Sequence, residues 1–219
     1  MMASVIFDLD GTLLDTLDDL TAAVNYALGE QGYPSQSREA VRHFVGNGME
    51  KLIGRALPSN ASEMVFEKAL RTFKTYYAEH QADYTHPYEG VMEMLRDLDA
   101  YGIRVAVVSN KNHQNTQALC KEYFGILNAV GGQAEIPHKP APDGVWLAMR
   151  EMGAEPERTV YVGDSEVDIE TAKNAKIPCI AVLWGFRSEQ DLRKAGAKHF
   201  AKTPADVTEQ VLQFFGIVK

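Results

Sequence analysis

The chain has 219 residues, of which 45% are hydrophobic, and its formal net charge is −8. This length and hydrophobic content are ample for a packed core, so the composition argues against a disordered protein. The acidic charge argues against nonspecific binding to nucleic acid or to an anionic membrane. An acidic surface repels both partners and releases no counterions on binding them. The sequence shows no long apolar run and no signal-like start, so we expect a soluble cytoplasmic protein.

The first predicted element is a short buried strand, residues 5–7, which runs directly into Asp8-Leu9-Asp10-Gly11-Thr12. Two carboxylates therefore stand at the carboxyl end of a strand. One carboxylate can attack an electrophile while a second one transfers a proton. Because the two negative charges repel each other and an anionic substrate, this pair requires a cation or a positive side chain nearby.

The following segment, roughly seventy residues long, shows no convincing strand and is too long for an ordinary connection. Apolar residues recur in it at helical spacing. They form three stripes: Leu17, Leu20, Val24 and Leu28; Met49, Leu52, Ile53 and Ala56; Phe66, Ala69, Leu70, Phe73 and Tyr77. We expect a helical cap domain, residues 16–85, inserted into a core domain of residues 1–15 and 86–219, with hinges at the two crossings.

Beyond the insertion, short apolar strands alternate with helical patterns. The predicted strands are residues 103–108, 128–130, 159–162 and 178–183, and the predicted helices are residues 89–101, 112–124, 142–152 and 165–175. Continuous apolar strands are typical of a parallel sheet buried on both faces. The alternation predicts an α/β fold with a doubly wound, mostly parallel, Rossmann-like sheet, whose ligands bind beyond the carboxyl ends of the strands.

Polar residues follow several of these strands at that same edge. Ser109 and Asn110 follow the second strand, Lys139 lies in the loop after the third, and Asp164 follows the fourth, with Asp168 one helical turn later. Together they offer carboxylates for a divalent cation, donors for phosphate oxygens and an ammonium for charge neutralisation. Phosphoryl transfer needs this combination, because its transition state is stabilised chiefly by positioning and positive charge.

Four motifs in this order, DLDGT, the Ser109 strand end, the Lys139 loop and GDSEVD, resemble the signatures of the haloacid dehalogenase superfamily. The insertion resembles the helical cap of its phosphoglycolate phosphatase-like branch. The resemblance covers nearly the whole chain and implies a Mg²⁺-dependent phosphatase. The dehalogenases lack an acid at the position of Asp10, because a halide leaves without a proton, so its presence here favours phosphate chemistry.

The resemblance also implies catalytic roles. Asp8 resembles the nucleophile that forms an aspartyl phosphate, and Asp10 resembles the general acid that later activates water as a base. Ser109 and the backbone amide of Asn110 would bind phosphoryl oxygens. Lys139 would neutralise charge on the nucleophile and the phosphate.

The metal site that the resemblance implies consists of oxygen ligands. Asp164 would bind Mg²⁺ together with Asp8 and the backbone carbonyl of Asp10. Asp168 would support the metal site, either directly or through water. Hard oxygen ligands fit Mg²⁺ better than zinc.

In the insertion, the turn Val45-Gly46-Asn47-Gly48 precedes a helix whose backbone amides could meet an anion. This turn resembles the substrate-specificity loop of phosphoglycolate phosphatases. A plain corner between two helices explains it equally well. Arg42 and Lys51 flank the turn and could reach a substrate carboxylate.

The substrate is predicted to be a small phosphorylated metabolite, with 2-phosphoglycolate as the first hypothesis. Pyrophosphate, a nucleoside monophosphate and a sugar phosphate stay open, which leaves pyrophosphatase and nucleotidase activities as alternatives. A phosphotransferase resembling β-phosphoglucomutase would instead return the phosphoryl group to a sugar. A non-catalytic phosphate-binding or interaction module is the alternative from another class. We expect a monomer or a weak homodimer.

Overall fold

The computed structural model describes residues 2–126, 128–133 and 135–217. The chain divides into two compact units, one formed by Met1–Leu14 with Pro87–Lys219 and the other by Asp15–His86. The larger unit contains a six-stranded sheet with helices, and the smaller one is mainly helical. Within the described ranges, no helix combines the length and the apolar character that crossing a membrane requires.

Eight strands are present in the described residues. They are β1 (Ser4–Phe7), β2 (Leu14–Asp15), β3 (His86–Pro87), β4 (Arg104–Asn112), β5 (Ala129–Gly132), β6 (Thr159–Gly163), β7 (Cys179–Val182) and β8 (His199–Ala201). Six of them form one sheet in the order β5-β4-β1-β6-β7-β8, and every neighbouring pair is parallel. The two-residue strands β2 and β3 pair separately, where the chain passes between the units.

Ten helices accompany these strands in the same described ranges. They are α1 (Leu17–Gly29), α2 (Arg38–Phe44), α3 (Met49–Ala56), α4 (Glu63–His80), α5 (Val91–Ala100), α6 (His113–Phe124), α7 (Asp143–Met152), α8 (Glu166–Ala175), α9 (Glu189–Lys194) and α10 (Pro204–Phe215). A 3-10 turn, Pro156–Arg158, precedes β6. Helices α1 to α4 belong to the smaller unit, and α5 to α10 belong to the larger one.

The central strand β1 is fully buried because helices cover both faces of the sheet. Val5 and Phe7 belong to one apolar cluster, which α5, α6 and α10 complete. Ile6 points to the opposite face and belongs to a second cluster with α7 and α8. Side chains alternate along a strand, so Val5, Ile6 and Phe7 each pack against an apolar cluster on one face or the other. This explains why three of the four residues of β1 are apolar; the first, Ser4, is buried with its hydroxyl hydrogen-bonded to the Thr159 hydroxyl at 2.7 Å.

The register of the sheet brings three strand ends to one edge. Phe7, the last residue of β1, is paired with Val107 on one side and with Val162 on the other. Because all three strands are parallel, the residues that follow these positions emerge side by side. The segments that begin at Asp8, Val108 and Gly163 therefore share the carboxyl edge of the sheet.

In the smaller unit, a buried carboxylate ties α1 to the segment just before β3. Asp19 is almost fully buried and accepts hydrogen bonds from the amides of Tyr84 (3.0 Å) and Thr85 (2.8 Å) and from the Thr85 hydroxyl (2.7 Å). The neighbouring Asp18 is exposed and pairs with Arg38 at 2.6 Å. The smaller unit thus holds its first and last segments together through one side chain.

The predicted α/β class and parallel sheet are confirmed, and the helices expected in the larger unit are present with ends within two residues of the prediction. The sequence prediction missed β8, because its three residues include the exposed His199. The predicted insertion, residues 16–85, contains no strand, but the short strands β2 and β3, which flank it, were not predicted. Two-residue strands carry no detectable periodicity.

Replacing Asp19 with alanine is expected to lower the free energy of unfolding by about 3 kcal/mol, because buried amide donors would lose their acceptor. Asp18→Ala is the matched control in the same helical turn. It removes an exposed ion pair and is expected to cost at most about 1 kcal/mol. Urea denaturation followed by circular dichroism measures both values, and equal losses would contradict the role given to Asp19.

Candidate active site

The turn after β1 positions the two carboxylates of the DLDGT motif. The Asp8 amide donates to the carbonyl of Val162 at 2.9 Å and so continues the parallel ladder by one residue. The chain then folds back, as the amides of Leu13 and Leu14 both donate to the Leu9 carbonyl at 3.0 Å. Asp8 is left almost fully buried at the end of the central strand.

The Lys139 side chain contacts three other residues of the site. Its ammonium donates to Asp8 Oδ1 (2.8 Å), to Asp168 Oδ1 (2.7 Å) and to the Tyr161 hydroxyl (3.1 Å). The Tyr161 hydroxyl in turn donates to the Val108 carbonyl at 3.1 Å. An ammonium has three protons to donate, and each has an acceptor here. The position of the charge is therefore set from three directions.

The backbone of Lys139 is held by the side chain of Asn110. The Lys139 amide donates to Asn110 Oδ1 at 2.7 Å, and Asn110 Nδ2 donates to the Lys139 carbonyl at 3.0 Å. Ser109, just before it, accepts the Lys111 amide at 3.2 Å through its hydroxyl oxygen. The end of β4 and the Lys139 loop are thereby joined, which the sequence alone did not reveal.

Asp164 follows β6 and is held by two donors. Its Oδ2 accepts the Phe186 amide at 2.6 Å, and its Oδ1 accepts the Thr12 hydroxyl at 3.4 Å. A Cβ atom at Gly11 or at Gly185 would lie closer to Asp164 than real Cβ atoms approach other atoms. Gly11 also has a φ of +91°, in the left-handed region that favours glycine. Glycine at both positions lets the two loops close around the carboxylate.

Asp168 lies one turn into α8, and both of its oxygens are engaged. Oδ1 accepts Lys139, while Oδ2 accepts the amide (3.0 Å) and the hydroxyl (2.5 Å) of Ser165. This side chain therefore caps the start of α8 and anchors the lysine at the same time. Asp168 reaches the site because a residue in the first turn of α8 faces back toward the end of β6.

Burial and neighbouring charges shift the pKa values of Asp8, Asp164 and Lys139. Burial raises the pKa of Asp8 from 3.8 to about 7, with Lys139 opposing the shift and Asp168 adding to it. Burial, Asp168 and Asp8 all raise the pKa of Asp164 well above its usual value. Burial alone would lower the pKa of Lys139, but Asp168 and Asp8 raise it well above its usual value. Lys139 therefore stays protonated. Its single positive charge does not offset the burial of the neighbouring carboxylates and the repulsion among them.

The donor set fits a hard divalent cation. Asp8, Asp164 and Asp168 each offer an oxygen, and these oxygens lie within 4.8 Å of one another. Three carboxylates against the single ammonium of Lys139 leave a local excess of negative charge. Magnesium prefers oxygen ligands of this kind and is commonly bound through one or two carboxylates. The three carboxylates predicted at the metal site are therefore gathered at one place.

The acid–base candidate Asp10 is paired with a residue that the sequence analysis left without a role. The Lys111 ammonium donates to Asp10 Oδ1 at 3.0 Å, and the lysine side chain is 2% exposed. Lys111 directly follows Ser109 and Asn110, and that position at a strand end was its only signal. Tyr161 was missed for another reason, since a tyrosine within a central strand is indistinguishable from core.

The predicted binding turn lies in the smaller unit, before α3. Gly46 and Gly48 have positive φ angles of 122° and 85°, so both need glycine. The Asn47 side chain accepts a hydrogen bond from Arg55 at 2.7 Å, and the same arginine donates to the Phe44 carbonyl at 2.7 Å. Arg55 thus stabilises the turn, a contact that the sequence analysis did not predict.

The two basic candidates beside this turn are accessible. Arg42 lies 3.7 Å from Glu39, and Lys51 is exposed on α3. Their part in binding a substrate stays a prediction, as does that of Gly46, Asn47 and Gly48.

The chain is similar to one known protein family over most of its length. The model of the family described as haloacid dehalogenase-like hydrolase matches residues 5–182. The chain belongs to the haloacid dehalogenase-like hydrolase family. The match spans β1, the insertion and the strands up to β7, so the resemblance inferred from the four motifs is confirmed.

This hydrolase is similar in sequence to several phosphoglycolate phosphatases and in structure to a solved protein. The phosphoglycolate phosphatase of Pseudomonas putida is 36% identical over 192 residues, which cover 83% of this chain and 70% of the relative. The phosphoglycolate phosphatase of Vibrio parahaemolyticus is 33% identical over 217 residues, 94% of this chain and 95% of the relative. A crystal structure from Lactobacillus delbrueckii subsp. bulgaricus superposes with a TM-score of 0.92 at 34% identity and covers 95% of this chain and 98% of its own.

Gly185→Ala is expected to lower the free energy of unfolding of this hydrolase by more than about 2 kcal/mol, because the added methyl would overlap Asp164 and the Gly11 carbonyl. Gly29→Ala, where nothing lies within 4 Å, is the control. That change is expected to raise stability by up to about 1 kcal/mol. Urea denaturation compares the two, and a tolerated Gly185→Ala would show that the loop around Asp164 is looser than the structure indicates.

The metal-free protein is expected to lose stability as the pH rises. Asp8 has a pKa of about 7 when folded and 3.8 otherwise, so between these values the folded state keeps a proton that the unfolded state releases. The contribution of Asp8 is therefore fully present below pH 3.8 and is lost as the pH passes about 7. In chelator, Asp8→Asn should show a smaller loss of stability between about pH 5 and about pH 8 than the parent. Urea denaturation at the two pH values tests this, and identical losses would contradict it.

Proposed function

We propose that the protein hydrolyses a small phosphomonoester with Mg²⁺ bound, and that 2-phosphoglycolate is its substrate. The protein is a phosphatase, as its family and its curated relatives indicate. One observation carries the mechanism: the buried Lys139 ammonium joins the nucleophile candidate Asp8 to Asp168 at the edge of the sheet. Three sequence motifs that are far apart in the chain meet at that lysine.

Asp8 is suited to nucleophilic attack because only one of its oxygens is engaged. Oδ1 accepts Lys139, whereas Oδ2 has no hydrogen-bond partner in the part of the chain that the structure describes. Attack of Oδ2 on phosphorus forms an aspartyl phosphate and breaks the bond to the leaving oxygen. Lys139 holds the carboxylate in place and supplies positive charge beside the entering phosphoryl group.

Donors at the end of β4 would bind the phosphoryl oxygens. The Ser109 hydroxyl oxygen accepts the Lys111 amide, so its own proton is available for a phosphoryl oxygen. The Asn110 side chain is engaged with the Lys139 backbone, so the role proposed for Asn110 in binding the phosphoryl group falls to its backbone amide. This division of labour supports the role predicted for each residue.

Asp10 supplies the proton chemistry. As an acid it protonates the leaving oxygen, and as a base it then takes a proton from the water that attacks the aspartyl phosphate. Water adds to phosphorus, the bond to Asp8 breaks, and inorganic phosphate leaves with Asp8 regenerated. The Asp10 side chain is 14% exposed, so it is accessible to a substrate from the solvent side.

Asp8, Asp164 and the Asp10 carbonyl would hold Mg²⁺, which when bound supplies positive charge for the phosphoryl oxygens. The two donors on Asp164 fix that carboxylate beside Asp8. Because both oxygens of Asp168 already accept hydrogen bonds, we assign Asp168 chiefly to holding Lys139, with support of the metal through water.

The substrate proposal rests on the relatives and on the turn before α3. The relatives in Pseudomonas putida and Vibrio parahaemolyticus are named phosphoglycolate phosphatases. We assign the Gly46-Asn47-Gly48 turn, with Arg42 and Lys51, to the carboxylate of 2-phosphoglycolate. The positive φ angles of the two glycines and the anchoring of Asn47 by Arg55 support a shaped turn at this position.

Other activities are separated from this one by their products. A mutase would convert a hexose 1-phosphate into its isomer, and a pyrophosphatase or nucleotidase would prefer those substrates in a panel. A non-catalytic module would release no phosphate from any of them. A cytoplasmic location and a monomeric or weakly dimeric state stay predictions from the sequence.

With Mg²⁺ present, 2-phosphoglycolate is expected to give the highest kcat/KM in a panel that includes hexose phosphates, nucleoside monophosphates and pyrophosphate. Asp8→Asn is expected to lower phosphate release at least about 1000-fold, because the amide cannot form the covalent intermediate. Asp97→Asn, an exposed carboxylate on α5, is the matched control and should retain parent activity. Conversion of a hexose phosphate without phosphate release would favour the mutase, and a silent panel would favour the non-catalytic module.

A further inference from the structure

Lys111 is the second lysine buried beside the DLDGT motif. Its side chain is 2% exposed, and its ammonium donates to Asp10 Oδ1 at 3.0 Å. Removing an ammonium from water is costly, and a paired carboxylate often does little more than repay that cost. Stability therefore gives little reason to place a lysine here, and an apolar residue would pack at lower cost. The pair points to a role in the chemistry of Asp10.

The backbone around Lys111 is held firmly. The Lys111 amide donates to the Ser109 hydroxyl oxygen at 3.2 Å, and its carbonyl accepts the Thr116 hydroxyl at 3.2 Å. The pairing of β4 with β5 shifts register between Val108 and Asn112, which marks a local irregularity in the strand at this point. Such irregularities re-aim side chains beside functional sites. Lys111 is thus directed at Asp10 by a constrained segment of β4.

The ion pair distinguishes the two oxygens of Asp10. Oδ1 is engaged by Lys111, while Oδ2 has no hydrogen-bond partner within residues 2–126, 128–133 and 135–217. Asp8 shows the same division, with Oδ1 engaged by Lys139. Each carboxylate of the motif therefore has its own lysine and one oxygen left for the reaction.

We propose that Lys111 is a positioning residue that holds Asp10 through Oδ1 and so presents Oδ2 to the leaving oxygen and to the attacking water. This inference rests on the proposed function and adds to it a residue that acts through Asp10. A general acid must lie within hydrogen-bond reach of the atom that it protonates. Without Lys111, Asp10 could rotate about its side-chain bonds, and the productive orientation would be populated less.

Loss of this positioning is expected to lower kcat and to leave KM almost unchanged. Lys111→Met is expected to lower kcat for 2-phosphoglycolate by about 10- to 100-fold, a part of what general acid–base catalysis contributes, and to change KM by less than about threefold. An aryl phosphate has a leaving group that needs little protonation, so its first step should suffer less. Rapid mixing of Lys111→Met with the aryl phosphate is then expected to show a burst of phenol before slow turnover.

A double-mutant cycle tests whether Lys111 acts through Asp10. If it does, Lys111→Met combined with Asp10→Asn should be no slower than Asp10→Asn alone. Lys111→Arg keeps the charge and should recover part of the kcat lost in Lys111→Met. Lys121→Met, an exposed lysine on α6, is the matched control and should keep the parent kcat. Lys111→Gln serves as a second variant if Lys111→Met does not fold, as judged by circular dichroism.

The outcomes separate this proposal from the proposed function. If the parent releases phosphate and a folded Lys111→Met or Lys111→Gln protein keeps the parent kcat, the assignment of Lys111 is overturned while the phosphatase stands. A further independent loss on top of Asp10→Asn would overturn it as well. If the parent itself releases no phosphate from any phosphoester in the panel, the proposed function is overturned, and the assignment of Lys111 is overturned with it.

Discussion

The contact between the Lys139 ammonium and the carboxylates of Asp8 and Asp168 is the interaction on which the site depends. Each of these three residues comes from a different part of the chain, and the lysine is buried with them. A buried ammonium is stable only with its partners in place, and removal of one partner is costly. The ends of β1 and β6 and the Lys139 loop are therefore constrained to meet in one arrangement.

The same burial creates a need for further positive charge. Three carboxylates lie together against one ammonium, and burial raises the pKa of Asp8 and of Asp164 because their charged forms are poorly solvated. A divalent cation and the approach of positive groups relieve this repulsion. The proposed function makes use of this need, because a bound divalent cation would neutralise both the protein carboxylates and the phosphoryl oxygens of the substrate.

The two buried lysines divide the work of the DLDGT motif. Lys139 belongs to the loop before α7 and anchors Asp8, whereas Lys111 belongs to β4 and pairs with Asp10. Without these separate partners, two carboxylates that are only one residue apart would lie in the same electrostatic environment. Separate ammonium partners give each carboxylate a distinct orientation, as the different roles proposed for Asp8 and Asp10 require.

The sequence by itself determined the α/β class, the parallel sheet and the family, because apolar strands, helical spacing and four ordered motifs are local patterns. It also singled out Asp8, Lys139, Asp164 and Asp168, which the structure brings together. Only the tertiary structure decided that Asn110 clamps the Lys139 backbone, that Tyr161 accepts from its ammonium and that Lys111 faces Asp10. Those contacts join residues about 20 to 100 positions apart, and no local pattern encodes the direction of a side chain across such a separation.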